Sequence, residues 1–131
     1  MIVADASALL ELLLGGPQAG EIGGLLLAQG TPLAAPQLID LEVAQVMRRL
    51  ASRGRLDPER AERAFDDLAA LPLARYDHAP LLPRIWALRE NLTAYDAAYL
   101  APAEALDAPL VTCDAALRAA PGRMAEVIVV A

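Results

Sequence analysis

Short apolar runs alternate along this chain with longer segments whose apolar residues recur every three to four positions. The first kind predicts buried strands and the second predicts helices with one buried face. Ile2-Val3-Ala4 reads as a first strand, followed by helices over about Ala6 to Leu14 and Gln18 to Gln29. Pro32 to Ala35 is a weak second strand. The next helix starts at Pro36, stops before Gly54 and carries an apolar stripe of Ile39, Val43, Val46, Met47 and Leu50. Asp57 and Pro58 open another helix, with Asp57 as N-cap and Ala61, Ala64, Phe65 and Leu68 as its buried face. Leu73 to Tyr76 is a third strand, Ala79 to Glu90 and Ala94 to Leu106 are helices, and Pro109 to Thr112 and Val127 to Val130 are the last two strands.

Strands separated by helices pair in parallel through right-handed crossovers. The strand runs are short and continuously apolar, as a sheet covered on both faces requires. The expected fold is therefore α/β: a three-layer α/β/α domain with a central parallel sheet of about five strands. Its 131 residues, 56% of them hydrophobic, suit one domain with one core, spanning residues 1–131. There is no internal repeat, low-complexity tail or linker. No apolar run reaches the ~18 residues of a membrane helix, and the opening MIVADAS lacks the basic start of a secretory signal. A cytoplasmic protein without membrane association is the expectation.

Charge narrows the chemistry. Seventeen acidic against eleven basic residues leave a net charge of −6, and every base is arginine. Lysine-dependent chemistry, such as a Schiff base or a phosphate-binding P-loop, is excluded. One cysteine excludes an internal disulfide and a cysteine-based zinc cluster. The acidity opposes a general electrostatic grip on nucleic acid, unless part of it forms a metal site.

Four acids are candidates for such a site. Ligands of parallel sheets bind beyond the carboxyl ends of the strands. Asp5 follows the first strand and Asp114 lies just past the fourth. The commoner role of each, taken singly, is to cap the helix behind it. Asp96 fits a capping box with Thr93. The nearly all-apolar run behind it, Ala97 to Ala101, predicts a buried helix whose first turn opens on a crevice. Glu42 lies inside a helix, where capping does not explain it, on the shoulder of the apolar stripe. There it needs a partner such as Arg49, or solvent. Four carboxylates in one crevice would repel one another. Mg²⁺ or Mn²⁺ relieves that conflict, since hard cations prefer oxygen ligands. The four account for four of the six net negative charges, so the acidity ceases to forbid an RNA substrate.

Four stretches then resemble the PIN-domain family, and within it the bacterial VapC-type toxins: VADASALLELL from Val3, APQLIDLEVAQVMRRL from Ala35, LTAYDAAYLA from Leu92 and APLVTCDAAL from Ala108. Each is weak alone, but their order and spacing agree across the whole chain. The resemblance implies a metal-dependent endoribonuclease, the toxin of a toxin–antitoxin pair, with its acids at Asp5, Glu42, Asp96 and Asp114. Ser7 and Thr112 match supporting hydroxyl positions. The resemblance further implies a homodimer and a VapB-type antitoxin that covers the site. DNA would be met only through that antitoxin. Asp5, Asp96 and Asp114 would hold the metal directly or through water, with Glu42 at a second ion or at the attacking water. Ala115 and Ala116 occupy positions where some relatives carry a fifth acid, so no fifth ligand is expected. Pro102 departs from the family pattern and should kink or end its helix.

Arg48 and Arg49, near the end of the Glu42 helix, are candidates for positioning RNA; their plainer role is to interact with the helix C-terminus and solvent. His78 is expected in solvent or at a helix start, Cys113 as a small filler, and Trp86 in the core or a dimer interface. A response-regulator receiver domain would need a lysine, and a haloacid-dehalogenase-type phosphatase would need Asp-x-Asp where this chain has Asp5-Ala6-Ser7. The non-enzymatic alternative is a catalytically silent PIN-like binding module.

Overall fold

The computed structural model describes residues 1–131. Five short strands, β1 (Ile2–Ala4), β2 (Leu33–Pro36), β3 (Leu73–Tyr76), β4 (Leu110–Thr112) and β5 (Val127–Val129), form one parallel sheet in the order β3-β2-β1-β4-β5. Seven helices connect them: α1 (Ala6–Leu14), α2 (Ala19–Leu26), α3 (Leu38–Ser52), α4 (Pro58–Ala70), α5 (Leu82–Ala87), α6 (Ala94–Ala105) and α7 (Ala115–Ala119). Right-handed crossovers put α1 to α4 on one face of the sheet, where the chain steps from β1 out to β3. The return from β3 to β4 puts α5 and α6 on the other face, and α6 packs against β1, β2 and β4. The expected three-layer architecture is the observed one.

Local chemistry accounts for most boundaries. Asp57 caps α4 through a bond from the Glu59 amide at 2.9 Å, with Pro58 at the first helical position. Gly54 follows α3 with a φ of 68°, a left-handed conformation that costs glycine nothing. The core joins Val3 and Ala4 of β1 to Leu9, Ile22, Ile39, Val43, Leu100, Leu110 and Val111, all fully buried.

Several expectations need correction. Pro36 ends β2 instead of starting α3, and Val46 and Leu50 are only half-buried. Phe65 is 41% exposed, because the buried face of α4 narrows to Ala64 and Leu68. The segment expected as one helix from Ala79 to Glu90 is a single 3₁₀ turn, Ala79–Leu81, followed by the short α5. Pro102 does not end α6, which runs on to Ala105. A helix tolerates this when the residues around the proline are packed, and Ala97 to Ala103 are buried without exception. Trp86 is not in the core: it is 67% exposed, with the Arg89 guanidinium 4.7 Å above its ring. No helix is long and apolar enough to cross a membrane.

Candidate active site

Strand order creates the crevice. From β1 the chain moves outward to β2 and β3, then returns to β4 on the other side of β1. The connections leaving β1 and β4 therefore diverge to opposite faces, and a gap opens past their carboxyl ends. Asp5 follows β1 directly, and Asp114 lies two residues past the end of β4.

Asp5 is only 6% exposed, and donors from three places hold its carboxylate. Oδ1 accepts from the Ala8 amide at 3.0 Å and from the Ser7 hydroxyl at 2.7 Å, while Oδ2 accepts from the Thr112 hydroxyl at 2.5 Å. Asp5 is thus the N-cap of α1 and a member of the crevice at once. The two hydroxyls extend the network. Ser7 Oγ accepts from the Cys113 amide at 2.9 Å, and Thr112 Oγ1 accepts from the Asp114 amide at 2.9 Å. Ser7 and Thr112, matched to supporting positions in the sequence, lie 3.3 Å apart and lock the ends of β1 and β4 together.

Asp114 is exposed and caps α7 through the Ala116 amide at 2.9 Å. Asp96 lies in the first turn of α6, with the Thr93 hydroxyl accepting its amide at 3.1 Å, the expected capping interaction. Both capping readings hold, but capping does not remove either carboxylate from the crevice. Burial pushes the Asp5 carboxyl above its ordinary value, against the pull of its hydrogen bonds, and the charge of Asp114 adds to the rise. Burial and Asp114 likewise raise Asp96. Asp114 is therefore electrostatically in touch with both.

Glu42 joins this group through a residue outside the expected set. The Tyr99 hydroxyl, from α6, donates to Glu42 Oε1 at 2.5 Å. The expected partner Arg49 makes no such contact. Burial, then Glu42, Asp5 and Asp96, push the Tyr99 phenol far above its usual value, so it remains a neutral donor among carboxylates. The signal for Tyr99 was present in the sequence: it is the one polar tip in the apolar run Ala97 to Ala103, on the helix that carries Asp96 in its first turn.

No cation offsets these acids. The two ion pairs of the protein are elsewhere, Arg75 with Asp40 at 2.7 Å and Arg84 with Glu104 at 2.6 Å. Arg48 is exposed and bonds Gln45 at 3.3 Å. Arg49 lies two turns beyond Glu42, about 10 Å along the same face of α3. His78 also has a defined role, since its Nε2 accepts the Leu38 amide at 3.1 Å and so caps the helix that carries Glu42. The expectation of a helix-start role holds, though for a helix 40 positions upstream. Cys113 is half-buried, and burial raises its thiol, which keeps it a poor nucleophile.

Residues 2–123 match the PIN domain family. The chain belongs to the PIN-domain family. Among curated PIN relatives, it is 46% identical over 114 residues to Ribonuclease VapC9 of Mycobacterium tuberculosis, a match covering 87% of this chain and 86% of the relative. It is 42% identical over 127 residues to Ribonuclease VapC1 of the same organism, covering 95% and 94%. Its fold is similar to a chain in the crystal structure of VapBC2 from Rickettsia felis bound to a DNA fragment from their promoter. That likeness has a TM-score of 0.69 at 17% identity and covers 97% of this chain and 98% of the other.

Proposed function

We propose that this PIN domain is a metal-dependent endoribonuclease, the toxin half of a toxin–antitoxin pair, with Asp5, Glu42, Asp96 and Asp114 as its catalytic acids. One observation carries the reading: Asp5 is buried, held by three donors and acted on by the charge of Asp114, with no arginine paired to either. Folding alone gains little from that arrangement, because a buried carboxylate loses its solvation and a like charge beside it adds repulsion. The curated relatives named as ribonucleases support the same activity.

The donor set fits a hard divalent cation, since it offers only oxygens. No three of the His, Cys, Asp and Glu side chains are gathered closely enough to enclose an ion by themselves. Mg²⁺ keeps several of its waters and commonly takes one or two carboxylates, so the fit is to a partly hydrated ion. Asp5, Asp96 and Asp114 would hold Mg²⁺ or Mn²⁺ directly or through water, and Glu42 would bind a second ion or the water that the first ion holds. Such an ion, when bound, polarises a phosphoryl oxygen and makes water a better nucleophile at neutral pH.

The chain's own groups do the rest. Asp5, fixed from three sides, keeps one orientation while substrate enters. Glu42 has Oε1 engaged by Tyr99 and Oε2 free to accept a proton from the attacking water. The family resemblance implies attack by water in line with the P–O3′ bond, so that the phosphate stays on the 5′ end and the 3′ oxygen leaves and takes a proton from solvent. The RNA's 2′-hydroxyl would then not be the nucleophile. Arg48 and Arg49 would grip phosphates to one side of the cut.

Two partners follow from the same reading. A VapB-type antitoxin would cover the acids, and DNA would be bound only through it. A second copy of the chain would cover exposed apolar residues such as Leu41, Leu82, Trp86 and Tyr95. Light scattering of the purified chain checks the dimer.

The deciding experiment incubates the purified, partner-free protein with total RNA in Mg²⁺ or Mn²⁺, and in EDTA, beside Asp5→Asn. Discrete fragments that require metal and vanish in the variant are expected. Cleavage that survives both EDTA and Asp5→Asn refutes the site.

A further inference from the structure

We propose that Tyr99 is a positioning residue for Glu42, its hydroxyl holding Oε1 so that Oε2 is the one oxygen of that side chain left to act in the crevice. This rests on the ribonuclease reading above, in which Glu42 is a catalytic acid.

Tyr99 is buried in a run, Ala97 to Ala103, where no other side chain carries a polar atom. A buried phenol needs an acceptor. A carbonyl within its own layer would have served packing alone. Its hydroxyl instead meets Glu42 Oε1 at 2.5 Å, on a helix from the opposite layer and 57 positions earlier in the chain. The contact joins the two layers at the crevice that also holds Asp5 and Asp96.

The choice of donor has a chemical consequence. An arginine paired with Glu42 would hold the carboxylate and cancel its charge. A phenol holds it and leaves the charge in place. Glu42 has three rotatable side-chain bonds and makes no other hydrogen bond. Without Tyr99 its carboxylate would sample several rotamers, some turned to solvent. Residues that orient a metal-site ligand commonly carry 10- to 100-fold in affinity or activity. Sequence position and structure agree on the coupling: Tyr99 lies one turn past Asp96, so one helix carries one acid and orients another.

The test compares Tyr99→Phe, Glu42→Gln, the double variant and Glu42→Asp. Cleavage of total RNA is measured at saturating RNA and Mn²⁺, and Mn²⁺ binding is measured by calorimetry without RNA. Thermal unfolding confirms that each variant is folded. Tyr99→Phe is expected to lower the saturated rate roughly 10- to 100-fold with little change in the RNA concentration giving half-maximal rate. It is also expected to weaken Mn²⁺ binding, and to weaken it no further in the Glu42→Gln background. Glu42→Asp, which withdraws the carboxylate from an intact Tyr99, should resemble Tyr99→Phe, and it serves in its place should that variant not fold. A wild-type rate in Tyr99→Phe, or in Glu42→Asp where that stands in, overturns the proposal. So does an equal loss of Mn²⁺ affinity from Tyr99→Phe with and without Glu42. Full activity in Glu42→Gln removes the catalytic acid itself, and the ribonuclease-site reading falls with it. Activity lost in Glu42→Gln but kept in Tyr99→Phe removes only the positioning role.

Discussion

Thr112 donates its hydroxyl to Asp5 Oδ2 at 2.5 Å across 107 positions of sequence, fastening the end of β4 to the end of β1. Thr112 Oγ1 also accepts the Asp114 amide, so one hydroxyl joins both acids that flank the gap in the sheet. Its burial is complete. Thr112→Val keeps the shape and removes both bonds, leaving a buried carboxylate oxygen without its donor. A loss of about 1–3 kcal/mol in urea unfolding is expected, together with weaker metal-dependent cleavage. Thr112→Ser restores the hydroxyl and should recover most of both.

Asp5 sets a pH dependence. Its carboxyl in the folded chain lies above the ordinary 3.8, with burial as the main cause. Folding therefore favours the protonated form. The associated stability is present below pH 3.8 and is lost as pH rises through the higher folded value. In EDTA, Asp5→Asn should be more stable than the parent at neutral pH, with the difference shrinking as pH falls toward 3.8. Asn retains an acceptor for Ser7 and Ala8, and its amide can donate to Thr112. Urea midpoints of the two proteins from pH 3 to pH 7 provide the check. A difference that grows toward low pH contradicts the sign.

Arg84 and Glu104 tie the loop before β5 to the helical layer. Arg84 donates to Glu104 at 2.6 and 3.1 Å and to the Gly122 carbonyl at 2.7 Å, while Glu104 accepts the Met124 amide at 2.8 Å. The Glu104 side chain is only 11% exposed, so little water reaches it to replace Arg84 when that partner is removed. Arg84→Ala should cost about 2 kcal/mol and speed amide exchange across residues 120–126. Arg75→Ala breaks an exposed pair with Asp40 and should cost less than about 1 kcal/mol. Equal effects from the two would show that burial does not set the strength of these pairs.

The arginines of α3 separate grip from chemistry. Replacing Arg48 and Arg49 with Glu should weaken binding of RNA to the inactive Asp5→Asn protein. It should also flatten the dependence of log Kd on log salt, by about 0.7 for each lost contact to a single strand. An unchanged slope in filter binding across 50 to 300 mM salt removes them from the RNA surface.

Secondary structure was largely legible in the sequence where side-chain chemistry acts over a few residues. The span of α1, the Asp57 cap, the Thr93 cap and β3 all depend on neighbours within one turn or one strand. Errors came where distant packing decides. Phe65 lies on the apolar side of its helix yet meets no opposing layer, and Pro36 completes a strand because β3 lies beside it to pair with. The helix α7 was legible only through its cap, Asp114, because its five residues are too short for periodicity to register.

The candidate site divides the same way. By itself, the sequence determined that the sheet is parallel, that Asp5 and Asp114 follow strands, and that Asp96 opens a buried helix, since each depends on local pattern. It carried no record of strand order, because short parallel strands of similar apolar character pair equally well in several orders. Only the tertiary structure decided that β4 returns to the side of β1, which brings Thr112 to Asp5, and that Tyr99 rather than Arg49 meets Glu42. Those partners lie 107 and 57 positions apart and are chosen by how the layers close over the crevice, not by any spacing along the chain.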